Sequence, residues 1–217
     1  MTSAKLRACV AMTMLALLHV GSPAAAQSLF GPGKFKIVQS DDRFSNAPTT
    51  MTFGQNNRVT KKSPVGGIYM GSYGLYLDPL VIKSRSDGAI VQLGFAVRNS
   101  TMHDTTYGAP NRLGKIANVS FLVDDNRLIT ARVQASEQHF EDRIFYNSID
   151  RSASSDIDET GMITLTRDDI EALAHAKSVA IKVVGSERSW TIEAGDVAKP
   201  FVQNIRTFYD QQVLPAR

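Results

Sequence analysis

The segment Asp156-Ile157-Asp158-Glu159-Thr160-Gly161-Met162-Ile163 holds the densest set of potential cation ligands in the chain. An EF-hand calcium loop places oxygen ligands at positions 1, 3 and 5, glycine at 6 and an acidic bidentate ligand at 12. Asp156, Asp158 and Thr160 would supply the first three, Gly161 the turn, and Ile163 the apolar position 8. Position 12, however, is Arg167, a cation where the strongest carboxylate belongs. The expectation is no metal, with calcium at Asp156, Asp158 and Thr160 as the alternative. The competing assignment is a polar turn feeding a strand and a capped helix.

Histidine chemistry is sparse. His103, His139 and His175 have no second histidine three or four residues away and no H-E-x-x-H pattern. His103-Asp104 stands beside Ser100 in a polar stretch, Asn99–Lys115, expected to be a long loop. Ser100, His103 and Asp104 are the residue types of a hydrolytic triad. Around Ser72 the pattern is Gly71-Ser72-Tyr73-Gly74, which falls short of a G-x-S-x-G nucleophile elbow. Gly33-Lys34 lacks both the upstream glycine and the following Ser/Thr of a phosphate loop. A non-catalytic protein is expected, with a hydrolase built from residues 99–115 as the alternative.

Tyr69, Tyr73 and Tyr76 lie among four glycines in Gly66–Leu77. Tyrosine brings a large apolar area with a polar tip, and glycine lets a partner approach the backbone. These three form the expected binding surface; the competing assignment is half-buried tyrosines on a strand.

The N-terminus indicates where such a surface would work. Lys5 and Arg7 precede the apolar run Cys9–Val20, and Gly21, Pro23 and Ala24-Ala25-Ala26 follow before Gln27. A basic start, a short apolar stretch and a small-residue cleavage site are the parts of a secretory signal peptide. Residues 1–26 are therefore expected to be removed, leaving no transmembrane anchor and a periplasmic or secreted protein. Cys9, the one cysteine, leaves with them, so a disulfide, a thiol nucleophile and thiolate ligands are excluded from the mature chain. Cleavage takes two of the 24 basic residues and none of the 21 acidic ones, bringing the net charge from +3 to +1. No basic run longer than Lys61-Lys62 remains, which argues against nucleic acid as a partner. The expected partner is a protein or glycan of the cell envelope.

The elements that position these residues are mostly strands. After a flexible lead at 27–34, short β-type runs begin at Phe35, Thr49, Gly66, Leu80, Ala89, Ile116, Leu128, Arg143 and Met162. Turn chemistry at Asp87-Gly88, Asp124–Arg127 and Gly185–Arg188 predicts hairpins. Ser148–Thr160 is Ser/Asp-rich and is expected to be a second long loop. Thr166 and Asp169 form a capping-box variant before Ile170, Leu173 and Ala174 on one helical face. Phe201, Ile205, Phe208 and Tyr209 mark a second amphipathic helix after Pro200. Strands followed by helices near the end imply one β-rich domain over 35–213, all-β or α+β, an antiparallel sheet or sandwich with two helices in its C-terminal third.

Overall fold

The computed structural model describes residues 33–40, 48–61, 73–106, 108, 111–141, 144–149 and 151–214. The expected signal peptide, most of the lead and Tyr69 lie outside the described residues.

Among the described residues, eleven strands and two helices follow one another: β1 (Lys36–Ser40), β2 (Thr49–Gln55), β3 (Gly74–Ser84), β4 (Ile90–Asp104), β5 (Ile116–Val123), β6 (Arg127–Arg132), β7 (Gln134–Phe140), β8 (Phe145–Asn147), β9 (Ser152–Thr164), α1 (Arg167–His175), β10 (Val179–Gly185), β11 (Ser189–Ile192) and α2 (Lys199–Phe208), which continues as one π-helical turn, Tyr209–Val213. All pairing is antiparallel. The larger sheet runs β1-β2-β3-β4-β9-β7, with β8 also on β9; the smaller runs β11-β10-β5-β6.

The two sheets face each other across the main apolar core. Leu77, Val81, Phe95, Val97 and Ile163 from the larger sheet join Val119, Phe121, Ile129, Ile181 and Val183 from the smaller. The rings of Phe95 and Phe121 meet with centroids 5.8 Å apart. The expected stripe on α2 buries Phe201, Ile205, Phe208 and Tyr209 into the same core. Helix α1 adds Ile170, Leu173 and Ala174. Its start is the expected capping box: the Thr166 hydroxyl accepts from Asp169 N–H at 3.1 Å, and the Asp169 carboxylate accepts from Thr166 N–H. A cap of this kind pairs helix-end donors that have no intrahelical partner.

The hairpin signals correspond to real turns. Asp124 and Asp125 both take positive φ, 49° and 58°, as a tight turn between twisted strands requires. Gly66–Leu77 and Leu80–Ile82, expected as separate runs, meet in one strand, and β3 passes through Pro79. Leu77 N–H points toward Asn57, so the missing Pro79 N–H falls on that same side, just past the end of the β2 ladder at Leu80.

Two expected loops, 99–115 and 148–160, are in part strand. Asn99–Asp104 is the second half of β4, paired residue by residue with Ser154–Glu159 of β9. Their polar composition argued against strand. Pairing with β4 on one side and with β7 and β8 on the other satisfies the backbone, and alternate side chains find partners on the two faces.

Gly94 shows how tightly β4 and β9 approach. A Cβ there would stand 1.9 Å from the Ile163 carbonyl oxygen, which belongs to backbone and cannot swing away. Gly94→Ala is expected to cost about 2 kcal/mol by forcing the central strands apart. Urea unfolding of the two proteins measures it, and an unchanged midpoint would show that the ladder can give.

Candidate functional site

Strand alternation sorts the polar residues of β3, β4, β9 and β7 onto two faces of the larger sheet. On the outer face, Tyr76 stands opposite Arg98, Arg98 opposite Thr160, and Thr160 opposite Glu137. The next row is Gly74, Ser100, Asp158 and His139. Tyr73 and Tyr76 of one expected group and the Asp156–Thr160 ligands of another thus come together on one surface.

Their chemistry there is mutual rather than open. The Arg98 guanidinium lies 4.1 Å from the centroid of the Tyr76 ring, a cation–π contact. Arg58 donates to the Tyr73 carbonyl at 3.1 Å. The Tyr73 hydroxyl donates to the Asp156 carboxylate. Burial, followed by that hydrogen bond, pushes the Tyr73 hydroxyl above the usual tyrosine range. Tyr73 and Tyr76 are 7% and 2% exposed, so as an open binding surface they are corrected: they are covered, tied side chains.

The calcium alternative is corrected by backbone shape. Asp156–Gly161 is extended strand rather than a loop folded around a cation, and Gly161 pairs with Val97 instead of turning the chain. Asp156 already accepts from Tyr73. Among the described residues no three His, Cys, Asp or Glu side chains are grouped as metal ligands would be.

The residues of the hydrolase alternative are not brought onto one face by β4. Ser100 and Asp104 project from the outer face of β4, and His103, odd-numbered in the same strand, projects from the opposite face. Asp104 instead caps the turn after β4, accepting from Thr106 N–H at 2.8 Å. Ser100, Asp158 and His139 do share a cross-strand row, but the carboxylate stands between the other two, whereas a triad needs histidine in the middle.

Sequence reasoning missed the most connected carboxylate, Glu159. It is fully buried on the inner face, in the alternating series Ile157, Glu159, Gly161, Ile163. Its oxygens accept from Leu113 N–H at 2.8 and 3.1 Å, Gly114 N–H at 2.6 Å, Asn99 Nδ2 at 2.8 Å and Gln138 Nε2 at 3.0 Å. The irregular segment before β5, a strap over residues 111–115, is thus held and then bonds to the smaller sheet. The Leu113 carbonyl accepts from Glu187 N–H at 3.0 Å, the Lys115 carbonyl from Ser186 N–H at 2.9 Å, and Arg112 pairs with Glu187 at 2.9 Å. Gly114 takes φ +80°, and a Cβ there would stand 2.4 Å from Ser186 Oγ, so glycine fits the crossing for two reasons. The signal in the sequence was a lone charge on an otherwise apolar period-2 face. Beside the strap, Asn111, Leu113, Arg188, Ser189 and Trp190 line a cavity of about 150 Å³, below the usual size for a small-molecule site.

The exposed counterpart of this buried network is a rim at the far side of β9. Ile149 is 94% exposed, Ile144 69% and Tyr146 67%, with Phe140 and Phe145 about half exposed. Both β7 and β8 pair with β9 alone among the described residues, so their outer edges carry no strand. Sequence analysis read Arg143–Tyr146 only as a strand; the apolar run had no polar alternation to show which side met water.

No family model matches the chain, and no curated protein or solved structure matches it.

Two outcomes test this geometry. Glu159→Ala leaves several buried donors unpaired and is expected to destabilise by more than about 3 kcal/mol. Glu159→Gln, which turns an NH2 toward a donor, should cost about 2 kcal/mol; denaturant unfolding within error of wild type would contradict the clasp. The second concerns Asp78, whose carboxyl is pushed up to about 6 by burial, against the pull of the Asn57 N–H at 2.7 Å and of Arg98. The folded state then holds this proton more tightly than the unfolded chain, where the value is 3.8. Its contribution is fully present below the unfolded value and is lost as pH rises through about 6. Asp78→Asn should remove that loss, gaining about 1–2 kcal/mol on wild type between pH 4 and pH 7.5. Parallel melting curves across this range would contradict it.

Proposed function

We propose that this protein is a non-catalytic binding module exported to the bacterial envelope, and that its docking face is the apolar rim of Phe140, Ile144, Phe145, Tyr146 and Ile149. The observation that carries the reading is the exposure of these five large apolar side chains along the open edge of β7 and β8. Isolated apolar residues on a surface are ordinary, but five exposed large ones within ten residues, beside a strand edge that carries no partner strand among the described residues, are the pattern of an interaction site. Such an edge accepts an extended segment of another protein, whose main chain continues the ladder and whose side chains meet the rim. A glycan fits less well, because Phe145 and Tyr146 are consecutive in β8 and project to opposite faces, offering no shared stacking platform. Export rests on the basic and apolar N-terminus and the Ala24–Ala26 site.

The test is photo-crosslinking from position 146 in the full chain expressed in a bacterium with an envelope. A protein adduct is expected in the periplasmic fraction, on a chain beginning at Gln27. The double variant Phe145→Ser, Ile149→Ser should keep its melting midpoint and lose the adduct. An adduct that persists in that variant, capture of polysaccharide alone, or a cytoplasmic chain retaining Met1 would overturn the reading.

A further inference from the structure

Beneath the strap, three buried polar groups are left without hydrogen-bond partners: Asn99 Oδ1, Thr101 Oγ1 and Asn111 Nδ2. Asn99 and Thr101 are each 0% exposed and, two residues apart in β4, project from the same inner face. Asn111 is brought to them by its own backbone, since its carbonyl accepts from Asn99 Nδ2 at 2.8 Å. The orientation of the Asn99 amide is fixed by chemistry. Its nitrogen faces two acceptors, the Asn111 carbonyl and the Glu159 carboxylate, and its oxygen must therefore be the free end.

Asn99 Oδ1 accepts, Asn111 Nδ2 donates and the Thr101 hydroxyl can do either; a single water molecule, which both donates and accepts, can bond to all three. We propose that Asn99, Thr101 and Asn111 form an internal hydration site, in which one ordered water donates to Asn99 Oδ1 and Thr101 Oγ1 and accepts from Asn111 Nδ2. Three hydrogen bonds are the usual complement of a buried water, and a site lined by polar groups retains one where an apolar cavity stays dry. This water joins the strap to β4 as Glu159 joins it to β9, so the underside of the strap is held through both central strands. No charged group takes part, so the site has no need of a cation or an anion.

Thr101→Val decides the matter by the sign of its effect, because valine keeps the shape and removes the hydroxyl. With the water present, the variant strips one of its partners, and the melting midpoint should fall by several degrees. An unchanged or raised midpoint would overturn the proposal, since deleting a lone unsatisfied hydroxyl relieves a burial cost. A crystal structure of the full chain at high resolution provides the second measurement, independent of how the variant folds. It should show one water within hydrogen-bond distance of all three atoms, and a site closed by direct side-chain contact instead would contradict it.

Discussion

A carboxylate withdrawn from water has to be compensated by hydrogen bonds or by an opposite charge, and around Glu159 that requirement organises the molecule. Its compensation comes from dipoles: two backbone N–H groups of the strap and the side-chain amides of Asn99 and Gln138. The groups that satisfy it belong to β4, β7 and the 111–115 strap, and the strap in turn bonds to the turn between β10 and β11. One buried charge thus joins the two sheets at the end of the sandwich, where the apolar core gives out. Such a network rigidifies when every member is satisfied and is costly when any is missing.

The same polar end of the larger sheet explains why the chemistry suggested by residue types does not assemble. Side chains two apart share a face and neighbours do not, so His103 is separated from Ser100 and Asp104 by the sheet itself. Asp156, Asp158 and Thr160 do share a face, but along an extended strand, and that face is occupied by Tyr73, Tyr76 and Arg98 in contacts with one another and with Asp156. The polar residues here complete the structure, while the large apolar side chains at the β8 rim face solvent. That contrast makes the rim the notable surface of the fold.

Much of the architecture was legible because it depended on local signals. Asp124-Asp125 adopted the turn its residues favour, Thr166 and Asp169 capped the helix they precede, and the stripe from Phe201 to Tyr209 went into the core. What was misjudged depended on distant partners. Ser, Asp and Asn in 99–104 and 152–160 have low strand propensity, and only pairing between segments about sixty residues apart makes them strands. Tyr76 looked like a contact surface because nothing near it in sequence indicates that Arg98 lies over its ring. Glu159 was passed over as a spacer in a ligand pattern, although its place between Ile157 and Ile163 on a period-2 face marked it as inward-pointing.

Native-state amide hydrogen exchange at Leu113 and Gly114 tests the Glu159 clasp most directly. Both lie in an irregular segment between strands, where exchange is ordinarily fast. If Glu159 holds the strap to the larger sheet, these two amides should open only with the global unfolding of the core, at rates matching those of Phe95 and Ile163. Exchange at the rate of an exposed turn would mean that the strap moves freely, and that the two sheets are joined by apolar packing alone.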